Sequence, residues 1–180
     1  MQKYFETNNY GIRLSYTILL ANYLYRASQL YAFKMTKINS CKGTYAIVFS
    51  SDQESCICIG KLGKVKIEKG FYVYIGSAFG PGGLRSRINR HLKRGKPNHW
   101  HIDYIRDQLL PIGVWYSYAS VKEECHWAKI LHEFSDSRPL NKMGATDCKC
   151  PSHFFSFKSL SFSTNFSKSI NNFGADWVEF

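Results

Sequence analysis

Acidic side chains are scarce in this chain: 13 Asp and Glu stand against 24 Lys and Arg over 180 residues, a net charge of +11. A surplus of that size favours a polyanionic partner, nucleic acid first and an anionic membrane surface second. Long apolar runs are missing too. The longest, around residues 17–25, is interrupted by Asn22 and is too short to cross a bilayer, so no membrane partner is expected. Residues 1–34 show no basic stretch followed by a compact apolar core and a small-residue cleavage site, the pattern of a secretory signal. The six cysteines are therefore expected as reduced thiols in a cytoplasmic protein rather than as three disulfides. No C-x-x-C pair and no internal repeat is visible.

The basic residues that are present cluster. Between Lys61 and Arg106 eleven of them accompany two acids, Glu68 and Asp103. Such clustering reads as a surface for phosphates. The length suits one well-buried core with a short extension at either end. Residues 1–40 read as an N-terminal extension, aromatic and weakly patterned, with a helical signal over residues 14–33. Met35 makes a natural start, which would leave the first 34 residues dispensable or non-native. Residues 41–157 carry the domain, and residues 158–180 remain unassigned.

Within the domain, the β-rich runs TYAIVF (44–49) and SCICIG (55–60) flank a polar SSDQE and read as a hairpin. KVKI (64–67) and FYVYIG (71–76) follow, then GPGG (80–83) breaks the pattern before a helix in which Leu84, Ile88 and Leu92 recur. A second helix spans HWHIDYIRDQLL up to Pro111, another strand covers residues 113–119, and a third helix begins after Ser120. Ser120 and Glu123 have capping-box spacing, which assigns Glu123 to the helix start. The fold class expected is α/β of the α+β kind: a small antiparallel central sheet flanked by helices.

Four signals carry chemistry, and each has a bland alternative. Tyr45 and Tyr74 lie inside strands, where a lone aromatic is ordinarily core. Arg87 and His91 are spaced i, i+4 and share a helical face, placed opposite the Leu84/Ile88/Leu92 stripe; alone they read as a solvated basic face. Glu124 shares a sector with Ala128 and Leu131, toward the core, where a carboxylate costs stability unless an arginine or a metal compensates it. Together they match the needs of phosphodiester hydrolysis: a carboxylate for a divalent cation, an arginine for the phosphate, and tyrosine or histidine for protons.

GTY at 43–45, YIG at 74–76, the R-x-x-x-H from Arg87 to His91, ECHWAKIL at 124–131 and Asn141 after RPL together resemble the GIY-YIG nucleases. The longer strings YVYIGSAFGPGGLRSRINRHL, HWHIDY and GATDCKCPSHFF are similar to a largely archaeal branch sometimes fused to endonuclease III-like repair domains. That resemblance implies a metal-dependent endonuclease acting on DNA in preference to RNA, in repair, with DNA-repair proteins as partners. By position, Tyr45 and Tyr74 would orient or deprotonate the attacking water and Arg87 would hold the scissile phosphate. His91 would assist proton transfer, Glu124 would bind one divalent cation, Mg²⁺, and Asn141 would support the site. Arg85, Arg90, Lys93, Arg94 and Lys96 would contact the nucleic acid. Two features depart from the pattern. A β segment is inserted between GTY and YIG, and GPGG lengthens the path to Arg87, so that Arg85 could occupy the arginine slot instead.

Two further groups stand out. Cys148, Cys150 and His153, joined by His99 or His101, could bind zinc, but C-x-C is not the usual knuckle spacing, and packed thiols with hydrogen-bonded imidazoles are favoured. Trp100 and Tyr104 could stack on exposed bases, with core packing the plainer reading. The competing function is a nucleic-acid-binding module without catalysis, in which Glu124 pairs with Arg87 or another core cation. A zinc-stabilised interaction domain comes third.

Overall fold

The run TYAIVF becomes β1 (Thr44–Ser51), whose residues from Thr44 to Phe49 are all buried. Burial on both faces explains why it lacks apolar–polar alternation: successive side chains point to opposite sides, and both sides are covered. The computed structural model describes residues 34–180; the helix expected over residues 14–33 lies outside them. After β1 come β2 (Ser55–Ile59), β3 (Gly63–Ile67), β4 (Gly70–Ser77), β5 (Leu110–Ser117), β6 (Arg138–Pro139), β7 (Phe154–Phe157) and β8 (Asp176–Glu179). Six of these form one sheet in the order β6-β7-β4-β1-β5-β8, every neighbouring pair antiparallel. Among the described residues four α-helices accompany the sheet: α1 (Gly83–Leu92), α2 (His101–Ile105), α3 (Glu124–His132) and α4 (Phe162–Asn171). The expected antiparallel sheet flanked by helices is the observed architecture.

The sheet separates two cores. Tyr45, Ile47 and Phe49 of β1, with Tyr72 and Tyr74 of β4, pack against Leu84 and Ile88 of α1 and Ile102 and Ile105 of α2. Ala46 and Val48 face the other way, with Val73, Ile75 and Trp115, against Trp127, Ala128 and Leu131 of α3 and Phe162, Phe166 and Ile170 of α4. Tyr45 and Tyr74 therefore share a face because both strands place odd and even positions on opposite sides in a common register, Ile47 opposite Tyr74 and Tyr45 opposite Gly76.

Four expectations are corrected. β1 does not form a hairpin with β2; it lies between β4 and β5, while β2 pairs with β3 as a separate two-stranded ribbon, the inserted β segment. A strand buried on both sides takes its neighbours from other buried strands, whereas β2 and β3 alternate exposed and half-buried residues and suit a surface ribbon. Second, no side chain caps α3: Glu123 is its N-cap without a capping hydrogen bond, and its N–H instead donates to Thr44 Oγ1 of β1 at 3.0 Å. Third, His91 lies beside the α1 stripe rather than opposite it, because seven residues advance a helix to within about 20° of the starting position at Leu84. Fourth, the folded unit exceeds residues 41–157. Met35 and Ile38 are buried in the first core, and α4 and β8 bring Phe162, Phe166, Ile170 and Val178 into the interior.

Candidate active site

Five of the six residues expected to act together line one cleft of about 310 Å³, at the end of the sheet where β1 begins and β4 ends: Tyr45, Tyr74, Arg87, His91 and Glu124. They come from four elements and span eighty residues of sequence. Asn141 is exposed in the turn after β6 and does not line the cleft.

The two tyrosines are held by the strand register. Gly76 is opposite Tyr45, and a Cβ added there would collide with the phenol oxygen and ring of Tyr45. The glycine of the YIG run is thus a space for the tyrosine of the GTY run. Burial, then the adjacent Tyr74, pushes the Tyr45 hydroxyl well above its ordinary range; burial, then Asp103, does the same to Tyr74, while Arg87 opposes both shifts. Both side chains are neutral phenols near neutral pH, suited to orienting a water or a phosphate oxygen by hydrogen bonds.

On α1, Arg87 is half-buried and stacks on Trp100, its guanidinium carbon 4.6 Å from the ring centroid; Arg90 stacks on the same indole at the same distance. Arg87 forms no ion pair among the described residues, so its charge is available to a ligand. Arg85 takes a different direction: its Nε donates to the Ile38 carbonyl at 2.6 Å and its Nη2 to the Thr36 carbonyl at 3.3 Å. Arg87, not Arg85, therefore occupies the arginine position in the cleft.

His91 is almost wholly enclosed between Tyr45, Tyr74 and Trp100, with ring centroids 5.1–5.8 Å away. Burial lowers its pKa to about 4, although Asp103 pulls the other way. Its Nδ1 lies 3.8 Å from Asp103 Oδ1, an electrostatic contact longer than a hydrogen bond. That carboxylate favours the neutral tautomer with its proton on Nδ1, leaving the Nε2 lone pair free. Asp103 itself is a hub. It accepts the His99 and Trp100 N–H groups at 3.0 Å each and pairs with Lys96 at 2.5 Å and Arg90 at 3.5 Å. Burial works against its ionisation, but His91, Lys96 and those two amides outweigh it and hold the carboxyl well below the usual range.

This hub corrects the reading of the basic cluster. Lys96 is buried, spanning Asp103 and the Arg90 carbonyl. Arg90 is shared between Asp103 and Trp100, Arg94 donates to the Leu109 carbonyl at 3.4 Å, and Arg106 is buried with bonds to the Leu92 and Leu109 carbonyls. Lys66 pairs with Glu54 and Glu68. A count along the sequence treats these cations as surface charge, whereas about half of them hold the fold together. Of the five residues expected to contact nucleic acid, Lys93 alone is exposed with no side-chain hydrogen bond or ion pair among the described residues; its N–H ends α1 on the Asn89 carbonyl at 3.0 Å.

Glu124 opens α3 beside Tyr45, because the preceding residue of each is joined by the Glu123–Thr44 hydrogen bond. Its Oε2 is buried and has no hydrogen-bond partner, and no ion pair joins it to Arg87 or any other cation among the described residues. The non-catalytic reading expects a compensating cation at this carboxylate, and none pairs with it among the described residues. Asp147 also lines the cleft. The unpartnered Glu124 oxygen and the Asp147 carboxylate are hard donors of the kind Mg²⁺ takes, so the donor chemistry of the cleft fits a divalent cation.

His153 closes one side of the cleft and belongs as well to a group with Cys125, Cys148 and Cys150. Neither His99 nor His101 joins that group: His99 packs edge-on against Trp100, and His101 Nδ1 accepts the Gly144 N–H at 3.2 Å. Burial and the neighbouring thiols push the Cys125 thiol up to about 12. Tyr104 is half-buried against the first core, and Trp100 is the stacking platform for the two arginines.

Residues 44–175 match the model of a family described as a domain of unknown function, DUF123. The chain belongs to this family. The DUF123 match takes in β1 to β7, all four helices, the five expected residues that line the cleft and the cysteine–histidine group, and it ends just before β8. No curated protein and no solved structure matches the chain. Within the DUF123 region, sequence reasoning missed Asp103, Asp147 and Cys125 as parts of the site. Asp103 stood out only as one of two acids in a basic stretch; Cys125 and Asp147 carried no local pattern, and only the folded chain brings them in.

Proposed function

We propose that this DUF123 chain is a metal-dependent nuclease of the GIY-YIG type that hydrolyses phosphodiester bonds in DNA. The observation that carries the reading is the buried, unpartnered Glu124 oxygen in the same cleft as an unneutralised Arg87 and two buried tyrosines. An uncompensated carboxylate is costly in a folded protein and is retained where a cation completes it.

Glu124, with Asp147 within the same cleft, would hold Mg²⁺. When bound, the ion supplies a Lewis acid for the phosphate and its leaving oxygen. Arg87, immobilised on Trp100, binds a non-bridging phosphate oxygen and stabilises the charge that develops there. Tyr45 and Tyr74, as neutral phenols, orient the attacking water. His91 accepts a proton at Nε2, and Asp103, 3.8 Å from Nδ1, fixes the ring's tautomer and offsets the imidazolium charge. Lys93, the exposed residue that ends α1, would contact the nucleic-acid backbone. Cytoplasmic repair, with repair proteins as partners, is the setting this chemistry suits. No helix among the described residues is long and apolar enough to cross a membrane.

The test uses purified chain, Mg²⁺ and a panel of duplex, branched and single-stranded DNA, with RNA for comparison. Wild type nicks at least one DNA substrate, and Glu124→Ala loses turnover by about a hundredfold or more while retaining DNA affinity. Wild-type rates in Glu124→Ala, or the absence of Mg²⁺-dependent cleavage on every substrate, reject the mechanism.

A further inference from the structure

Beside the oxygen donors of the cleft, a second set of side chains converges with a different chemistry. Cys125 stands on the first turn of α3, and Cys148, Cys150 and His153 come from the loop leading into β7. One ligand atom from each lies within 4.8 Å of all the others. His153 Nε2 is 3.5 Å from Cys148 Sγ and 3.8 Å from Cys125 Sγ. A tetrahedral zinc ion, with Zn–S about 2.3 Å and Zn–N about 2.0–2.1 Å, sets its ligand atoms about 3.5–3.8 Å apart. The two imidazole–sulfur distances fall within that range, and the remaining separations are at most 4.8 Å.

From this geometry we infer that Cys125, Cys148, Cys150 and His153 form a structural Cys₃His zinc site. Packing accounts for only one thiol of the group: Cys150 rests against the second core, whereas Cys125 is exposed and Cys148 only half-buried, so these two gain little from leaving water where they are. A disulfide does not account for it either, since it would use two thiols and leave the third sulfur and the imidazole unexplained. Thiolate and imidazole donors select a soft or borderline cation such as zinc over Mg²⁺. Four protein ligands leave no open position, so the site is structural rather than catalytic.

The loop is pre-shaped for the ion. Ser152 is buried, and its hydroxyl is bonded within the turn to the Leu140 carbonyl at 2.5 Å and the Phe154 N–H at 2.9 Å. His153 is fixed on both sides of its backbone, its N–H donating to the Met143 carbonyl and its carbonyl accepting from Ile75, each at 2.8 Å. The C-x-C spacing that argues against a zinc knuckle is no obstacle, because Cys125 supplies the fourth ligand from a helix elsewhere in the chain. Its neighbour is Glu124. Zinc would thus staple the loop that carries Asp147 and His153 to the helix turn that carries the cleft's carboxylate. Binding releases the three thiol protons.

Metal analysis of the full chain, purified under reducing conditions from zinc-supplemented medium, is the test. Wild type holds one zinc per chain after desalting. Cys125→Ser and Cys148→Ser lose it, whereas Cys56→Ser and Glu124→Ala keep it; the last variant separates this site from the proposed hydrolytic centre. Because a ligand variant could fail to fold, the wild type is also exchanged with cobalt(II). Intense visible bands of four-coordinate cobalt, together with thiolate-to-cobalt charge transfer, are expected. Failure of reconstituted wild type to take up stoichiometric metal, weak six-coordinate cobalt bands, or full zinc retention by Cys125→Ser each overturns the site. None of these readings depends on nuclease activity.

Discussion

His91 sits in an environment far from water, enclosed by three aromatic rings. Its imidazole titrates near 6.5 when exposed and at about 4 in the fold, because burial disfavours the cation more than Asp103 favours it. Between those values the unfolded chain binds a proton that the folded chain does not. Stability is therefore full above pH 6.5 and falls as pH drops toward 4, by on the order of 3 kcal/mol from this group alone. Asp103 acts in a lower window: its carboxyl is held below the exposed value of 3.8, so its contribution persists until pH falls beneath that value. Urea midpoints at pH 7 and pH 4.5 should differ clearly in wild type and much less in His91→Gln. An equal difference in both would assign the acid sensitivity elsewhere. Asp103→Asn removes the acceptor shared by Lys96, Arg90 and His91 and leaves the buried Lys96 ammonium uncompensated. It is expected to cost about 3–5 kcal/mol in urea unfolding at neutral pH, and a loss below 1 kcal/mol would show that the hub relaxes without its carboxylate.

At the level of elements, the strands and helices were legible in the sequence because their signals are local: β-branched and aromatic runs, glycine punctuation and four-residue apolar spacing. Pairing was not legible. The polar SSDQE looked like a hairpin loop, yet β1 takes β4 and β5 as neighbours, a choice set by burial on both faces that no short window reports. Site residues with position-specific strings, Tyr45, Tyr74, Arg87, His91 and Glu124, came together as the resemblance implied. Asn141 did not, and Asp103 and Cys125 entered only through the packing of distant segments. The β1–β4 register also gives the YIG glycine a role that can be tested. In Gly76→Ala the new methyl group occupies the place of the Tyr45 phenol, so the ring must shift. The strain is expected to cost about 1–3 kcal/mol and, in the proposed nuclease reaction, to lower turnover with DNA affinity retained. Wild-type turnover in a folded Gly76→Ala would remove Tyr45 from the mechanism.

For the molecule as a whole, charge and extent both read differently once folded. The surplus of +11 implied a broad phosphate-binding surface, but Lys66, Arg85, Arg90, Arg94, Lys96 and Arg106 are engaged internally, and the ligand-facing charge narrows to Arg87 in the cleft and exposed lysines such as Lys93. The C-terminal segment changes in the opposite sense. The segment 158–180, unassigned from the sequence, does hold a short helical period: Phe162, Phe166 and Ile170 recur every four residues in α4, as Leu84, Ile88 and Leu92 do in α1, whereas β8 has four residues, too few for a strand pattern to accumulate. Their contribution lies in what they cover. Phe162, Phe166 and Ile170 fill the second core beneath Trp115 and Trp127, while β8 pairs with β5 and buries Val178. At about 1.5–3 kcal/mol for each buried apolar side chain, removing these four withdraws about as much as the 5–15 kcal/mol that stabilises a whole domain. It also exposes Trp115 and the outer edge of β5, a template for aggregation. A chain ending at Phe157 is therefore expected to be insoluble or to lack a cooperative thermal transition by circular dichroism, although every residue of the cleft is retained. Ending the chain after β8 at Glu179 should preserve the transition, and a well-folded 1–157 fragment would show that the first core and the α3 side of the sheet suffice without α4 and β8.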